Sequence, residues 1–249
     1  MKQGRHERIV TMLHQQGRVQ VADLVAQLDV SEDTVRRDLG ELAALGVLQR
    51  VHGGAILRPL TAPFAERLID ESGAKGTIAA MAARLARDGQ LLLLDSGTTV
   101  LAIARRFPMD LRATVFTTSV PVAAALSNHP WIAVHMIGGR LLKAAQATVG
   151  VPAVEAIKQV RADLCFLGIC SLDVELGITV GDPDEAEVKR AMVAQAAEVV
   201  AAAESDKLNT AGPYLVDPIT AITYLVTDVG VSDELLAPYH AQGIQILQG

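Results

Sequence analysis

The chain has 249 residues, half of them hydrophobic and only 3% aromatic, and carries a formal net charge of −6. That length suits a small module joined to a larger one, and the core must be aliphatic. No stretch approaches the ~18–20 uninterrupted apolar residues of a membrane span, and the polar start MKQGRHERIV lacks the apolar centre of a signal peptide, so a cytoplasmic protein with no membrane partner is expected. Cys165 and Cys170 form neither a disulfide framework nor the paired spacing of a zinc site. Both sit in an apolar run that reads as core, where thiols pack as small hydrophobes.

Net acidity argues against a nucleic-acid partner, but its distribution does not. Residues 1–58 hold 8 Lys/Arg and 7 Asp/Glu, a balance of +1, which leaves −7 for the remainder. After residue 33 of that segment, Arg36, Arg37, Arg50 and Arg58 face only Asp38 and Glu41. An acidic body with a locally basic tip suits a protein that touches DNA in one place.

Apolar spacing predicts a first helix over residues 5–16, with Ile9, Val10 and Leu13 inward, and a second through Val21, Leu24, Val25 and Leu28. Asp29-Val30-Ser31 then turns the chain. Ser31 is a good cap for a third helix running to about Leu45, with Glu32 and Asp33 in the first turn and Gly46 as its stop. Residues 47–57 alternate weakly around Gly53-Gly54, as a two-stranded wing would. Pro59 and Pro63 mark a linker over 59–74. From about Lys75 short apolar strands alternate with amphipathic helices. The strands are expected at Leu91–Leu94, Thr114–Phe116, Trp131–Ile137, Leu164–Leu167, Val199–Ala202 and Ala221–Val226; helices are expected from the residue-99 loop to Arg106 and at about 119–127, 184–196 and 232–241. Such alternation implies an α/β domain over 75–249 with a mainly parallel sheet covered on both faces.

With Val35, Leu39 and Leu42 inward, the third helix turns Asp33, Arg37, Gly40 and Ala44 outward, with Thr34 and Arg36 on the flanks. Arg36 and Arg37 can then reach bases or phosphates, while Arg50 and His52 hold the backbone beside them. The same spacing also fits a solvated helical hairpin with two surface arginines. Motif decides between them. Val30-Ser31-Glu32-Asp33-Thr34-Val35-Arg36-Arg37-Asp38-Leu39, followed by Arg50-Val51-His52-Gly53-Gly54-Ala55, closely resembles the N-terminal signature of DeoR-type bacterial regulators. The resemblance implies a winged helix-turn-helix on double-stranded operator DNA, with Ser31, Thr34, Arg36, Arg37, Arg50 and His52 as contacts.

Further on, Asp95-Ser96-Gly97-Thr98-Thr99 lies between a strand and a helix. Converging amides, hydroxyls and the helix start would cradle a phosphate, although the same turn fits an unliganded cap. Thr117-Thr118-Ser119 and Gly138-Gly139-Arg140 follow strands in the same way, and strand ends of a parallel sheet converge on one crevice. Lys189 and Lys207 offer fixed positive charge, unless each is simply solvated. These segments, with Asp163, Phe166-Leu167-Gly168 and Glu185-Ala186-Glu187-Val188-Lys189-Arg190, also resemble the DeoR-type sensor domain. That domain is similar in fold to ribose-5-phosphate isomerases and usually responds to phosphorylated sugars. The candidate effector site is therefore Asp95, Ser96, Gly97, Thr98, Thr99, Thr118, Ser119, Gly138, Gly139, Arg140, Gly168, Lys189 and Lys207.

Three places depart from the family's pattern. Glu204-Ser205-Asp206-Lys207 stands for Asp-x-Ser-Lys, Ser171 for a frequent Gly, and Thr118 for a frequent Asn. Asp206 would set an extra carboxylate near the pocket. The competing class is a sugar-phosphate isomerase with an appended DNA-binding head. Asp95, Asp163, Glu185 and Glu204 form no diagnostic catalytic pair, and the six histidines make no metal motif. The expectation is a non-enzymatic, homo-oligomeric repressor of carbohydrate genes, with a small-molecule effector and no cofactor or metal.

Overall fold

The computed structural model describes residues 2–58, 64–68 and 73–249. Its first unit runs α1 (Lys2–Gln16), β1 (Arg18–Gln20), α2 (Val21–Leu28), α3 (Glu32–Ala44), β2 (Leu48–Val51) and β3 (Gly54–Leu57). Ile9 and Leu13 of α1, Leu24 of α2, and Val35, Leu39 and Leu42 of α3 close one small core with Val19 and Leu48. The helical periodicity seen in the sequence is the periodicity of this burial.

The wing has three strands rather than the two expected. β1 pairs antiparallel with β3, which pairs with β2. A three-residue strand is too short for alternation to announce it. Gly54 allows the pairing, because a Cβ there would stand 2.0 Å from the Val19 carbonyl oxygen.

Pro59 and Pro63 of the expected linker lie outside the described residues. Within that span the chain forms α4 (Phe64–Arg67), and Phe64 is buried in the core of the larger unit. The connection is anchored at its middle.

The larger unit opens with α5 (Ala74–Ala83), β4 (Leu91–Leu94), α6 (Thr98–Ala104), β5 (Ala113–Thr117), α7 (Val120–Leu126) and β6 (Ile132–Met136). A hairpin of β7 (Arg140–Leu142) and β8 (Ala147–Val149) leads into α8 (Val151–Lys158) and β9 (Ala162–Gly168). Then come β10 (Ser171–Asp173), β11 (Gly177–Val180), α9 (Pro183–Ala194), β12 (Ala196–Ala202), β13 (Tyr214–Asp217), β14 (Tyr224–Thr227), α10 (Asp233–His240) and β15 (Gln245–Gln248).

Seven strands make one sheet in the order β15-β14-β12-β9-β4-β5-β6, and every neighbouring pair is parallel. Leu93, Cys165, Leu167, Val199 and Ala201 pack on one face, and Leu92, Leu94, Leu164, Phe166, Val200 and Ala202 on the other. Alternate residues therefore enter opposite cores, which is why these strands read as continuous apolar runs.

Some expectations shift. Trp131 is exposed and lies before β6, with the Arg112 guanidinium 5.1 Å from its ring centre. Ala221 belongs to a short 3-10 turn, and the last predicted strand begins at Tyr224. The β7–β8 hairpin, α8, β15 and the small antiparallel sheet β10-β11-β13 had no counterpart in the sequence reading.

Candidate functional site

On the head, α3 turns Asp33, Arg36, Arg37 and Ala44 to solvent. The Ser31 and Thr34 hydroxyl oxygens lie 2.9 Å apart, and Ser31 Oγ accepts from the Thr34 N–H at 3.3 Å. Those two residues set where the helix starts. Arg36 reaches back to Glu32, at 2.8 Å from Nε and 2.5 Å from Nη2. Arg37 is exposed, with no ion pair among the described residues. Arg50 on β2 and His52 at the wing tip are exposed beside it.

α1 fastens this helix from behind. Asp38 is 1% exposed and accepts from Arg5 at 2.7 Å and 3.0 Å, with His6 Nε2 at 3.2 Å. Lys2 pairs with Glu41 at 2.8 Å. The two carboxylates that offset the arginines in the sequence are thus neutralised from α1. His6, Asp38 and Glu41 converge with the spacing of a metal-ligand set, but Arg5 and Lys2 already hold both carboxylates.

The Arg5 hydrogen bond, against the opposing effect of burial and with help from His6, holds the Asp38 carboxyl below its ordinary value. Its contribution is present above the unfolded pKa of about 3.9, and is lost as pH falls through the lower folded value. Asp38→Asn is expected to cost about 1.5–3 kcal/mol at neutral pH and to flatten the acid limb of stability. Thermal unfolding of both proteins between neutral pH and the acid range measures this.

In the larger unit a cavity of about 440 Å³ opens beyond the carboxyl ends of β4 and β9, within the ~300–1,000 Å³ of small-molecule sites. Its wall includes Ser96, Gly97, Thr98 and Thr99 before and within α6, and Gly168, Ile169 and Cys170 after β9. Asp182, Glu185 and Lys189 come from α9 and its cap, and Lys207 from the 3-10 turn after β12. Gly97 caps α6 with no side chain, so no cap acceptor covers the first-turn amides.

Lys189, 1% exposed, donates to Asp95 and to the Gly168 carbonyl at 2.8 Å, with Glu185 Oε1 at 3.4 Å. Asp95 also accepts from the Gly168 N–H at 2.9 Å. Burial works against the ammonium, but Asp95 and Glu185 outweigh it and hold its pKa above the ordinary lysine value. Lys189 therefore ties β4, β9 and α9 together. A Cβ on Gly168 would stand 2.1 Å from the Ser96 carbonyl oxygen, so the two loops meet backbone to backbone.

Of the residues expected here, Ser96, Gly97, Thr98, Thr99, Gly168, Lys189 and Lys207 line the cavity, and Asp95 supports it from behind. Thr118 and Ser119 are fully buried away from the lining. Ser119 caps α7, and the Thr118 carbonyl accepts from the Thr148 N–H at 2.9 Å. Gly138, Gly139 and Arg140 are exposed outside the lining, and Arg140 pairs with Asp184. The cause is the β7–β8 hairpin. Ala147 bridges to Ser119, and Leu142, Ala144 and Ala145 form the wall where those two loops were expected.

The departures from the family pattern also find places. Asp206 lies outside the lining and pairs with Lys207 at 2.6 Å, while Glu204 pairs with Lys75 at 3.4 Å. Ser171 donates to the Thr179 carbonyl at 3.0 Å inside the small sheet. Cys165 is core, as expected, whereas Cys170 is half-buried on the cavity wall. Its thiol donates to Glu185 at 3.8 Å, and burial together with that carboxylate pushes its pKa up to about 12. Arg58 and Arg67, from the end of the head and from α4, also line the cavity. Neither was a sequence candidate, because nothing local distinguishes a linker arginine from a solvated one.

Residues 5–59 match the model of the DeoR-like helix-turn-helix domain, and residues 70–229 that of the DeoR C terminal sensor domain. The chain belongs to the DeoR family. This DeoR-family chain is thereby a DNA-binding transcriptional regulator. It is 33% identical to the HTH-type transcriptional repressor GlcR of Bacillus subtilis, over 88% of this chain and 86% of that protein. It is 32% identical to the glycerol-3-phosphate regulon repressor of Haemophilus influenzae, over 91% and 90%. Among solved structures, ribose 5-phosphate isomerase A of Methanocaldococcus jannaschii aligns with a TM-score of 0.41 and 16% identity, over 56% of this chain and 55% of that one. Among the described residues, no helix of the regulator is long and apolar enough to cross a membrane.

Proposed function

We propose that this regulator represses carbohydrate genes by binding an operator through α3 and the wing, and that an anionic effector, a phosphorylated sugar or related metabolite, occupies the sensor cavity and controls that binding. One observation carries the effector class. The cavity wall gathers Arg58, Arg67, Lys189 and Lys207 against only Asp182 and Glu185. Asp182 is already engaged as the α9 cap, accepting from the Asp184 and Glu185 amides, and Glu185 faces Lys189 and Cys170. Lys189 is matched by Asp95 and Glu185 and Lys207 pairs with Asp206, so Arg58 is the wall cation with no carboxylate partner among the described residues, and it stands with the hydroxyls of Ser96, Thr98 and Thr99 on the wall. The name of the glycerol-3-phosphate regulon repressor supports the same reading.

Binding without turnover fits the carboxylates. Asp95 is held by Lys189 and the Gly168 amide, and Asp163 accepts from the Leu91 N–H at 2.7 Å. Neither lines the cavity. A cytoplasmic homo-oligomer suits the remaining features, since one winged head offers a small interface and paired heads read repeated half-sites.

Thermal shift against matched phosphorylated and unphosphorylated sugars tests the effector class. A phosphorylated ligand at a hundred times its Kd stabilises by about 2.7 kcal/mol, and Lys207→Ala is expected to weaken it tenfold or more. Stabilisation by neutral sugars alone would refute an anion site, and conversion of any sugar phosphate to product would restore the isomerase reading.

A further inference from the structure

We propose that Arg58 is an effector-contacting residue contributed by the DNA-binding head, so that an anion in the cavity clamps the head against the sensor domain. This rests on the anion reading of the cavity given above. Arg58 directly follows β3, the central strand of the wing, and lies within the stretch matched by the helix-turn-helix model. It nevertheless shares a cavity wall with Ser96, Gly97 and Lys207 of the sensor unit. Among the described residues no carboxylate pairs with it, so its guanidinium is available to an anion. Bidentate charge-assisted hydrogen bonds to phosphate are what that group forms best.

The two units meet beside this residue. The Leu57 carbonyl accepts from the Ala211 N–H at 3.1 Å, and Leu57 bridges to Thr210. Arg18 of β1 reaches Glu175 at 2.5 Å and Asp173 at 3.4 Å. On the sensor side, five consecutive residues connect cavity to contact. Lys207 lines the cavity, while Thr210 and Ala211 hold Leu57. Asn209 between them is pinned by the buried Tyr239 hydroxyl, at 3.1 Å from its side-chain oxygen and 3.3 Å from its amide nitrogen. Partly exposed ion pairs contribute little, so the docked arrangement rests on a shallow balance. A ligand held from both sides deepens it by its differential affinity for the docked state.

Linkage makes the idea testable away from the pocket. Docking and anion binding must strengthen each other by the same factor, so a variant that loosens docking also weakens anion binding, by at most that factor. The experiment uses the full chain, with inorganic phosphate and glycerol 3-phosphate as probes, titration calorimetry for affinity, and amide hydrogen exchange at Leu57 and Ala211 for docking.

Wild-type protein is expected to bind both probes and to gain protection at both amides. Arg58→Ala is expected to bind about tenfold or more weakly and to show no gain in protection, with Arg58→Lys recovering part of each. Arg18→Ala, which does not line the cavity, is expected to lose about threefold to tenfold in probe affinity through linkage alone. Wild-type affinity and protection in Arg58→Ala, or wild-type affinity in Arg18→Ala, would overturn the clamp while leaving the anion site intact. Failure of wild-type protein to bind either probe would overturn the anion site itself, and the clamp with it.

Discussion

Replacing Lys189 with methionine is expected to destabilise the sensor domain by about 3–5 kcal/mol, the loss typical when one partner of a buried ion pair is removed. Asp95, 1% exposed, would keep only the Gly168 amide as a partner and would sit charged in a region closed to water. Thermal unfolding reads the effect at roughly 2–4 °C per kcal/mol for a domain of this size. Adding Asp95→Asn to Lys189→Met should recover much of the loss, because the stranded charge is gone. Such non-additivity marks a coupled pair. The sign of the lysine shift adds a pH test. A raised folded pKa means stability that is fully present below the unfolded value of about 10.4 and is lost only as pH rises through the higher folded value. The wild-type advantage over Lys189→Met should therefore stay level across neutral pH. Unfolding of Lys189→Met at the wild-type temperature would show that Asp95 is not the buried anion described.

Arg37→Ala is expected to erase preference for the operator over random duplex, by about 1–3 kcal/mol if the guanidinium reads a base edge in two hydrogen bonds. Arg37 is the more telling of the adjacent pair. It stands exposed without an ion pair among the described residues, whereas Arg36 must first release Glu32. Arg36→Ala should therefore cost less, and Arg50→Ala should weaken operator and random DNA alike. Fluorescence anisotropy titrations at several salt concentrations separate these roles. Removing a phosphate contact lowers the salt slope by roughly 0.9 per contact on B-DNA, while removing a base contact leaves it almost unchanged. Undiminished discrimination in Arg37→Ala would mean that another surface reads the sequence.

The second prediction depends on a local pattern that the chain carries openly. The helical repeat of Val35, Leu39 and Leu42 fixes which way Arg37 points, since 100° per residue leaves it no other face. The runs Leu91–Leu94 and Leu164–Leu167 announce central strands, because a sheet covered on both sides needs apolar residues at every position. The Asp95–Thr99 loop was visible for the same reason, as a small, hydroxyl-rich turn between a strand and a helix.

Other features have no local signature. Nothing near Thr118 or Gly139 shows that the β7–β8 hairpin will fold between them and the cavity, because that placement depends on Ala147 meeting Ser119. Nothing near Lys189 shows that its charge is matched by Asp95, ninety-four residues earlier. Arg18 and Arg58 look like ordinary head arginines until Asp173, Glu175 and Lys207 are brought beside them.

The amino-acid order by itself determined the winged head, the parallel sheet, the outward face of α3 and the loop at the end of β4, since each follows from periodicity or from a short motif. Only tertiary structure decided which cations face the cavity, which are neutralised, and how the head rests on the sensor. Those outcomes depend on distances between residues remote in sequence, and charge pairing responds to distance in space alone.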